Sequence, residues 1–333
     1  MLGAFFHKQC YRIRSLFQYL PHTTYFSAFN GTFFPTDMTT CMPKLTSLNI
    51  STLNTTIAPT GLGGTHMLPH APLLQQLGLD YTLMPPGPNI PHFAIIESLE
   101  SLTHIFLKSY ASDLPQILSP LSTLPRLSDL YLSVLGGWPT LSNDTIFLPN
   151  LEKLTFQGDS WDGIGSFFDI LDTPFLQMLS LTGNQDIPQS DGIPLPSLFI
   201  HTFPNIDTLN LHHIYLRGDT LIDIGLYLPR LTRMHFSHCR ITWDNFLASI
   251  SSQNTSAQPY PALRHIILRR CTMASLLSLD ASLYRLCTTS TMDCRTEPIE
   301  LIIIDKMAIL RILADISMLK QAGFTIMTEP ISI

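Results

Sequence analysis

Apolar residues recur along this chain in one short order, Pro-x-Leu-x-x-Leu-x-Leu, with other aliphatics or Phe allowed at the leucine positions. The stretch from Leu228 to Cys239, Leu-Pro-Arg-Leu-Thr-Arg-Met-His-Phe-Ser-His-Cys, is a clear instance. The order begins at Pro43, Pro72, Glu100, Pro125, Pro149, Pro174, Pro204, Pro229 and Pro261, with starts 29, 28, 25, 24, 25, 30, 25 and 32 residues apart. Its last four positions alternate with the two-residue period of a strand, so Leu130 and Leu132 are expected to point one way and Tyr131 the other. Each copy therefore predicts one short strand with one apolar side. A single such strand cannot bury that side alone, and neighbouring copies are expected to stack over a shared core.

Between the strands the pattern changes. Gly163 to Asp172, Asp219 to Tyr227, Thr242 to Ser251 and Ala274 to Leu286 space their apolar residues by three and four, which predicts helices packed behind a sheet. Asp219, Thr220 and Thr242 are the expected N-caps. Asn54 to His70 and Met84 to Pro91 are rich in Thr, Gly and Pro and are expected to be irregular loops. Ile299 to Ile304 reads as a further strand, Met307 to Gln321 as an amphipathic helix ended by Gly323, and Phe324 to Met327 as a terminal strand. Residues 1–40 are basic and acid-poor before Asp37. They read either as a segment capping the first edge of the array, or the remnant of a larger domain, or as a transit peptide. The expected division is thus 1–40, 41–305 for the array, and 306–333 as a C-terminal cap.

Repetition makes one elongated domain the expected form of a chain whose 333 residues would otherwise suit two. Charged residues are 13% and apolar ones 45%, which excludes a disordered chain and implies a large buried core. The net charge of -6 offers no global attraction to nucleic acid or to an anionic membrane, so neither is an expected partner. Leu301 to Ile316, the most apolar run, is interrupted by Asp305, Lys306, Arg311 and Asp315 and is too short and charged to span a membrane. Six cysteines without a Cys-x-x-Cys pair fit a reduced setting, with the protein expected in the cytoplasm or nucleus.

A period of this size around Leu-x-x-Leu-x-Leu, with Cys239, Cys271 and Asn184 three residues beyond the last leucine position, resembles a leucine-rich repeat. The fold this implies is an α/β solenoid, a curved parallel sheet on the concave side with helices and extended returns on the convex side. Its inner columns would then present Phe106 and Tyr131 on adjacent strands as aromatic anchors. Further along, His212, Arg233, His235, His265 and Arg269, with Arg264 beside them, would form a positive patch suited to an acidic or phosphorylated segment of another protein. Solvated strand residues with no role are the competing reading of these columns.

Chemistry of other kinds is not expected. His235-x-x-His238 has a metal-like look, but residues three apart on a strand point to opposite faces unless the strand ends between them, and His212 with His213 meets the same objection. Gly61, Gly63 and Gly64 lack the following Lys-Ser/Thr of a phosphate loop, and no Gly-x-Ser-x-Gly is present. Neither a cofactor, a metal nor a catalytic residue is expected. Sequons at Asn30, Asn49, Asn54, Asn143 and Asn254 would suit a glycosylated extracellular receptor fragment, the alternative to an intracellular binding module.

Leu-Pro-x-Leu-x-x-Leu-x-Leu units, the Cys-type positions and a closing Leu-Lys-Gln-Ala-Gly-Phe-Thr-Ile give residues 41–333 a resemblance to the repeat half of fungal F-box proteins. That resemblance implies a non-catalytic scaffold that recognises the substrate of an SCF-type ubiquitin ligase. In that family an F-box grips the Skp adaptor. Residues 1–40 contain no Leu-Pro-x-Glu-Leu-type helix, so the adaptor is an expected partner only if an F-box precedes Met1.

Overall fold

The computed structural model describes residues 14–20, 43–52, 71–80, 100–114, 118–136, 145–158, 164–183, 203–216, 218–241, 262–273, 300–303 and 325–328. The chain divides into two compact units, 1–154 with 170–173, and 155–169 with 174–333. Both are built from parallel strands with few helices, an α/β arrangement.

In the first unit β1 (Ser15–Leu20), β2 (Ser47–Thr52), β3 (Gln76–Asp80), β4 (His104–Tyr110) and β5 (Asp129–Leu135) lie side by side in sequence order, all parallel. The short strands β6 (Ile146–Phe147) and β8 (Leu171–Asp172) pair with each other, and β7 (Lys153–Gly158) runs across the division between the units. In the second unit β9 (Met178–Thr182), β10 (Thr208–His212), β12 (Arg233–Ser237), β14 (His265–Arg269), β16 (Glu300–Ile303) and β17 (Thr325–Thr328) form a parallel series. A second small sheet there joins β11 (Tyr215–Leu216), β13 (Arg240–Ile241) and β15 (Thr272–Met273).

Strand register follows the apolar pattern. Leu179, Leu209, Met234 and Ile266 align across four strands, as do Leu181, Leu211, Phe236 and Leu268. All eight are buried, while residues between them face outward to varying degrees. A shift of one residue would turn every one of these side chains to the wrong side, so the apolar set itself holds the register. Each fully buried leucine contributes roughly 1.5–3 kcal/mol of transfer free energy.

The proline that opens eight of the nine copies has a clear local task. Leu127 donates its N–H to Leu124, Leu151 to Leu148, Ile206 to Phe203 and Leu231 to Leu228, closing turns in which Pro125, Pro149, Pro204 and Pro229 sit second. Proline's fixed φ suits that place, and its missing N–H is not needed there. Immediately afterwards two successive N–H groups converge on one carbonyl of the preceding turn. Ser128 and Asp129 both donate to Thr103, and Thr232 and Arg233 both donate to Asp207. Side chains reinforce the spacing: the Asn150 amide donates to Pro125 O at 2.7 Å, and that of Asn205 to Pro174 O at 2.6 Å.

Several expectations are corrected. The helix expected over 163–172 covers only Ile164–Asp169 (α1), because Leu171–Asp172 is drawn into a strand pair by the N–H groups of Ile146 and Leu148, which donate to Ile170 and Asp172. Its aromatic face, Phe167 and Phe168, packs on Phe156 and Phe203. The helix expected from Asp219 begins at Gly218 and runs to Tyr227 (α2), so Asp219 and Thr220 lie inside its first turn instead of capping it. The expected final strand, Phe324 to Met327, is displaced by one residue to Thr325–Thr328. β1 was not expected at all. It pairs with β2 throughout, and the Thr46 and Ser47 N–H groups converge on Arg14 O as at the other strands.

The helices expected at 242–251, 274–286 and 307–321, the loops at 54–70 and 84–91, and Asn184, Asn30, Asn54, Asn143 and Asn254 lie outside the described residues. Among the described residues no helix is long and apolar enough to cross a membrane.

Candidate functional site

The outward faces of the two units differ. In the first, Phe106 of β4 and Tyr131 of β5 are register partners and their rings stack, 4.4 Å between centroids and 15° between planes. Phe106 is exposed and Tyr131 half-buried, and burial raises the phenol's pKa above its ordinary value. Next to them Lys108 pairs with Asp80 at 3.4 Å, so these two charges neutralise each other. The floor beside this pair is set by Gly78, where a Cβ would come within 2.9 Å of the Asn49 side chain. Asn49 therefore lies flat against the neighbouring strand, a poor position for a glycan.

In the second unit basic residues gather in the outward columns of β12 and β14, beside His212 of β10. The register places Arg233 beside His265, His235 beside Asn210 and Ile267, and His212 in a row with Ser237 and Arg269. Arg233, Arg264 and Arg269 are exposed, while His212, His235 and His265 are partly buried. His212 and His235 meet edge to face with centroids 5.7 Å apart. Burial, then the charges of His235, His213, His238 and Arg269, depress the His212 pKa; burial and then Arg269 depress that of His235. His235 Nε2 is buried with no hydrogen-bond partner among the described residues. Arg233 and Arg269 stand four residues apart along the strand direction, about 13 Å at strand rise.

Not every outward position is open. Ser133, Ser180, Thr208 and Ser237 are buried despite lying in the outward columns. Neighbours cover them: the Asn210 amide donates to Ser180 Oγ, and the Thr208 hydroxyl to Asp207 Oδ1.

Sequence reasoning missed one column. His213, His238 and Arg270 each follow a strand immediately, and each holds a positive φ of 54°, 54° and 51°. A non-glycine residue rarely adopts this conformation. Here it turns the chain from β10 into β11, β12 into β13 and β14 into β15. His213 and His238 stack at 4.6 Å, and burial followed by His238 lowers the His213 pKa. The strand does end between His235 and His238, which removes the geometric objection to their sharing a site. Even so, among the described residues no three of His, Cys, Asp and Glu are grouped to hold a metal. The available signal was position, because all three residues stand nine beyond the opening proline.

One residue further, Cys239 is fully buried and donates its thiol to Leu211 O at 3.1 Å, whereas Cys271 is only partly buried. Burial, with the Cys271 thiol beside it, pushes the Cys239 thiol far up, so it is an inert interior group. A scan against protein-family models and a search of curated proteins found no match to this chain.

Proposed function

We propose that the chain is a non-catalytic protein-interaction scaffold of leucine-rich repeat type, with the outward sheet columns forming the concave wall of a solenoid. The observation that carries this reading is the repeated in-register pairing of short parallel strands, each with leucine-type residues inward and a different residue outward. A stack of that kind varies its outer columns at little cost to its core, which suits recognition of an extended partner surface. Phe106 and Tyr131 serve as aromatic anchors, and His212, Arg233, His235, Arg264, His265 and Arg269 as the basic contact region for an acidic or phosphorylated segment.

The resemblance to fungal F-box proteins adds a narrower role, substrate recognition in an SCF-type ubiquitin ligase of the cytoplasm or nucleus, with the Skp adaptor as a partner only if an F-box accompanies this region. Two arms test this. Affinity purification with the wild-type chain and with an Arg233→Glu, Arg269→Glu variant tests the surface, which is expected to lose its specific partners on charge reversal. An unchanged partner set would contradict it. Co-precipitation of the Skp adaptor and a cullin with the product of the whole gene tests the ligase role, and their absence would remove it.

A further inference from the structure

The three stretches 208–216, 229–241 and 261–273 hold six arginines and five histidines and not one Asp or Glu, in a chain whose net charge is -6. Their outward and turn positions form two adjoining imidazole pairs, His212 with His235 and His213 with His238. Arg269 ends the next strand and Arg270 follows it. We propose that the C-terminal halves of β10, β12 and β14, with the turns that follow them, form a proton-linked anion site that takes a carboxylate-rich peptide segment, tightening as His212, His213 and His235 protonate. This rests on the interaction role proposed above and assigns it a ligand chemistry, further residues (His213, His238 and Arg270) and a regulating variable.

The argument begins with what these side chains offer. Arginine supplies permanent forked donors, while a neutral imidazole supplies only one N–H and no charge. At neutral pH the site is therefore only partly charged. Protonating one imidazole places a cation beside others and beside Arg269, which is unfavourable with no anion in place. A bound carboxylate reverses that balance by favouring the charged form, so binding must take up protons.

The surroundings permit this coupling. β9 carries no charged residue. At the other end of these strands stand Arg233, Arg264 and His265, with Asp207 holding Thr208. Beyond β14, Glu300 is the register partner of His265, four positions from the Arg269 row. Arg240 lies over the Tyr215 ring at 5.4 Å, and Cys239 is buried beneath the turn. An acidic peptide is favoured over nucleic acid because this basic excess is confined to three short stretches and the rest of the chain is net acidic.

The test uses a fluorescein-labelled octaglutamate peptide, whose side chains stay largely ionised down to about pH 5.5. Its anisotropy with the intact chain is followed at low salt between about pH 7.5 and pH 5.5, where an unperturbed histidine changes charge. Affinity is expected to rise about tenfold for each histidine whose pKa the peptide lifts by one unit. His212→Gln with His235→Gln should flatten the pH dependence, as should His213→Asn with His238→Asn, in which asparagine tolerates the positive φ. Arg269→Glu with Arg270→Glu should abolish binding. Tight binding that is independent of pH in the wild-type chain would overturn the proton linkage and leave the interaction role standing. No binding at any pH would overturn both. A single-stranded oligothymidine bound more tightly than the peptide would overturn the assignment of the ligand.

Discussion

The two units share their inward chemistry and differ in what they turn outward. Leu130 of β5 and Leu209 of β10 occupy equivalent positions and are both fully buried, as are Leu132 and Leu211 two residues later. On the opposite side, the first unit carries a stacked aromatic pair and a closed ion pair, Lys108 with Asp80. The second carries imidazoles and guanidinium groups with depressed histidine pKa values. The difference shows that one structural rule fixes the inward positions and leaves the outward ones free to specialise. It also separates two surface chemistries within one molecule: apolar area, which has no charge to titrate or screen, and charge, which responds to both pH and ionic strength.

The largest expected effect lies in the shared part. Leu130→Ala and Leu209→Ala should each destabilise their unit by about 2–5 kcal/mol in urea unfolding, as truncations in closed cores do. A much smaller loss at either position would break the claim that the two cores are equivalent. A middling effect belongs to the first unit alone. Phe106→Ala removes a stacked pair worth about 0.5–1.5 kcal/mol beyond area burial, while His235→Gln in the equivalent column should cost less.

The turn ladders give a finer comparison. Among the described residues Asn150 bonds only Pro125 O, whereas Asn205 bonds Pro174 O and also accepts from Arg230 at 2.6 Å. Alanine at either position should cost about 0.5–1.5 kcal/mol, with the larger loss at Asn205. Equal losses would assign the Arg230 contact no net value. The smallest effect is the dependence on pH. His212, His213 and His235 bind protons less readily folded than unfolded, so stability is full above the unfolded value of about 6.5 and is lost as pH falls from there toward the folded values. Hydrogen exchange followed by peptide fragment should show that loss in the second unit, and His212→Gln with His235→Gln should reduce it.

Nine strands were legible because their leucines and prolines stand at fixed offsets, and burial makes those offsets obligatory. β1 escaped notice because the same frame there reads Ile13, Leu16 and Gln18, with no proline to open it and a polar residue at the last apolar place. Pairing to β2, not its own pattern, makes it a strand. The end of the α1 region misread for a related reason, since Ile170 and Leu171 fit a helical spacing but are claimed by partners distant in sequence. The basic face could be assembled from the column order, whereas the stacking of His213 on His238 could not, because it depends on a positive φ that histidine seldom adopts.

Selective observation of the histidine ring protons by NMR, with assignments from single substitutions, tests the basic face most directly. His212 and His235 should titrate below the ordinary histidine range in the free chain and move upward when octaglutamate is added. Titration at or above about 6.5 in the free chain, unmoved by the peptide, would contradict the account.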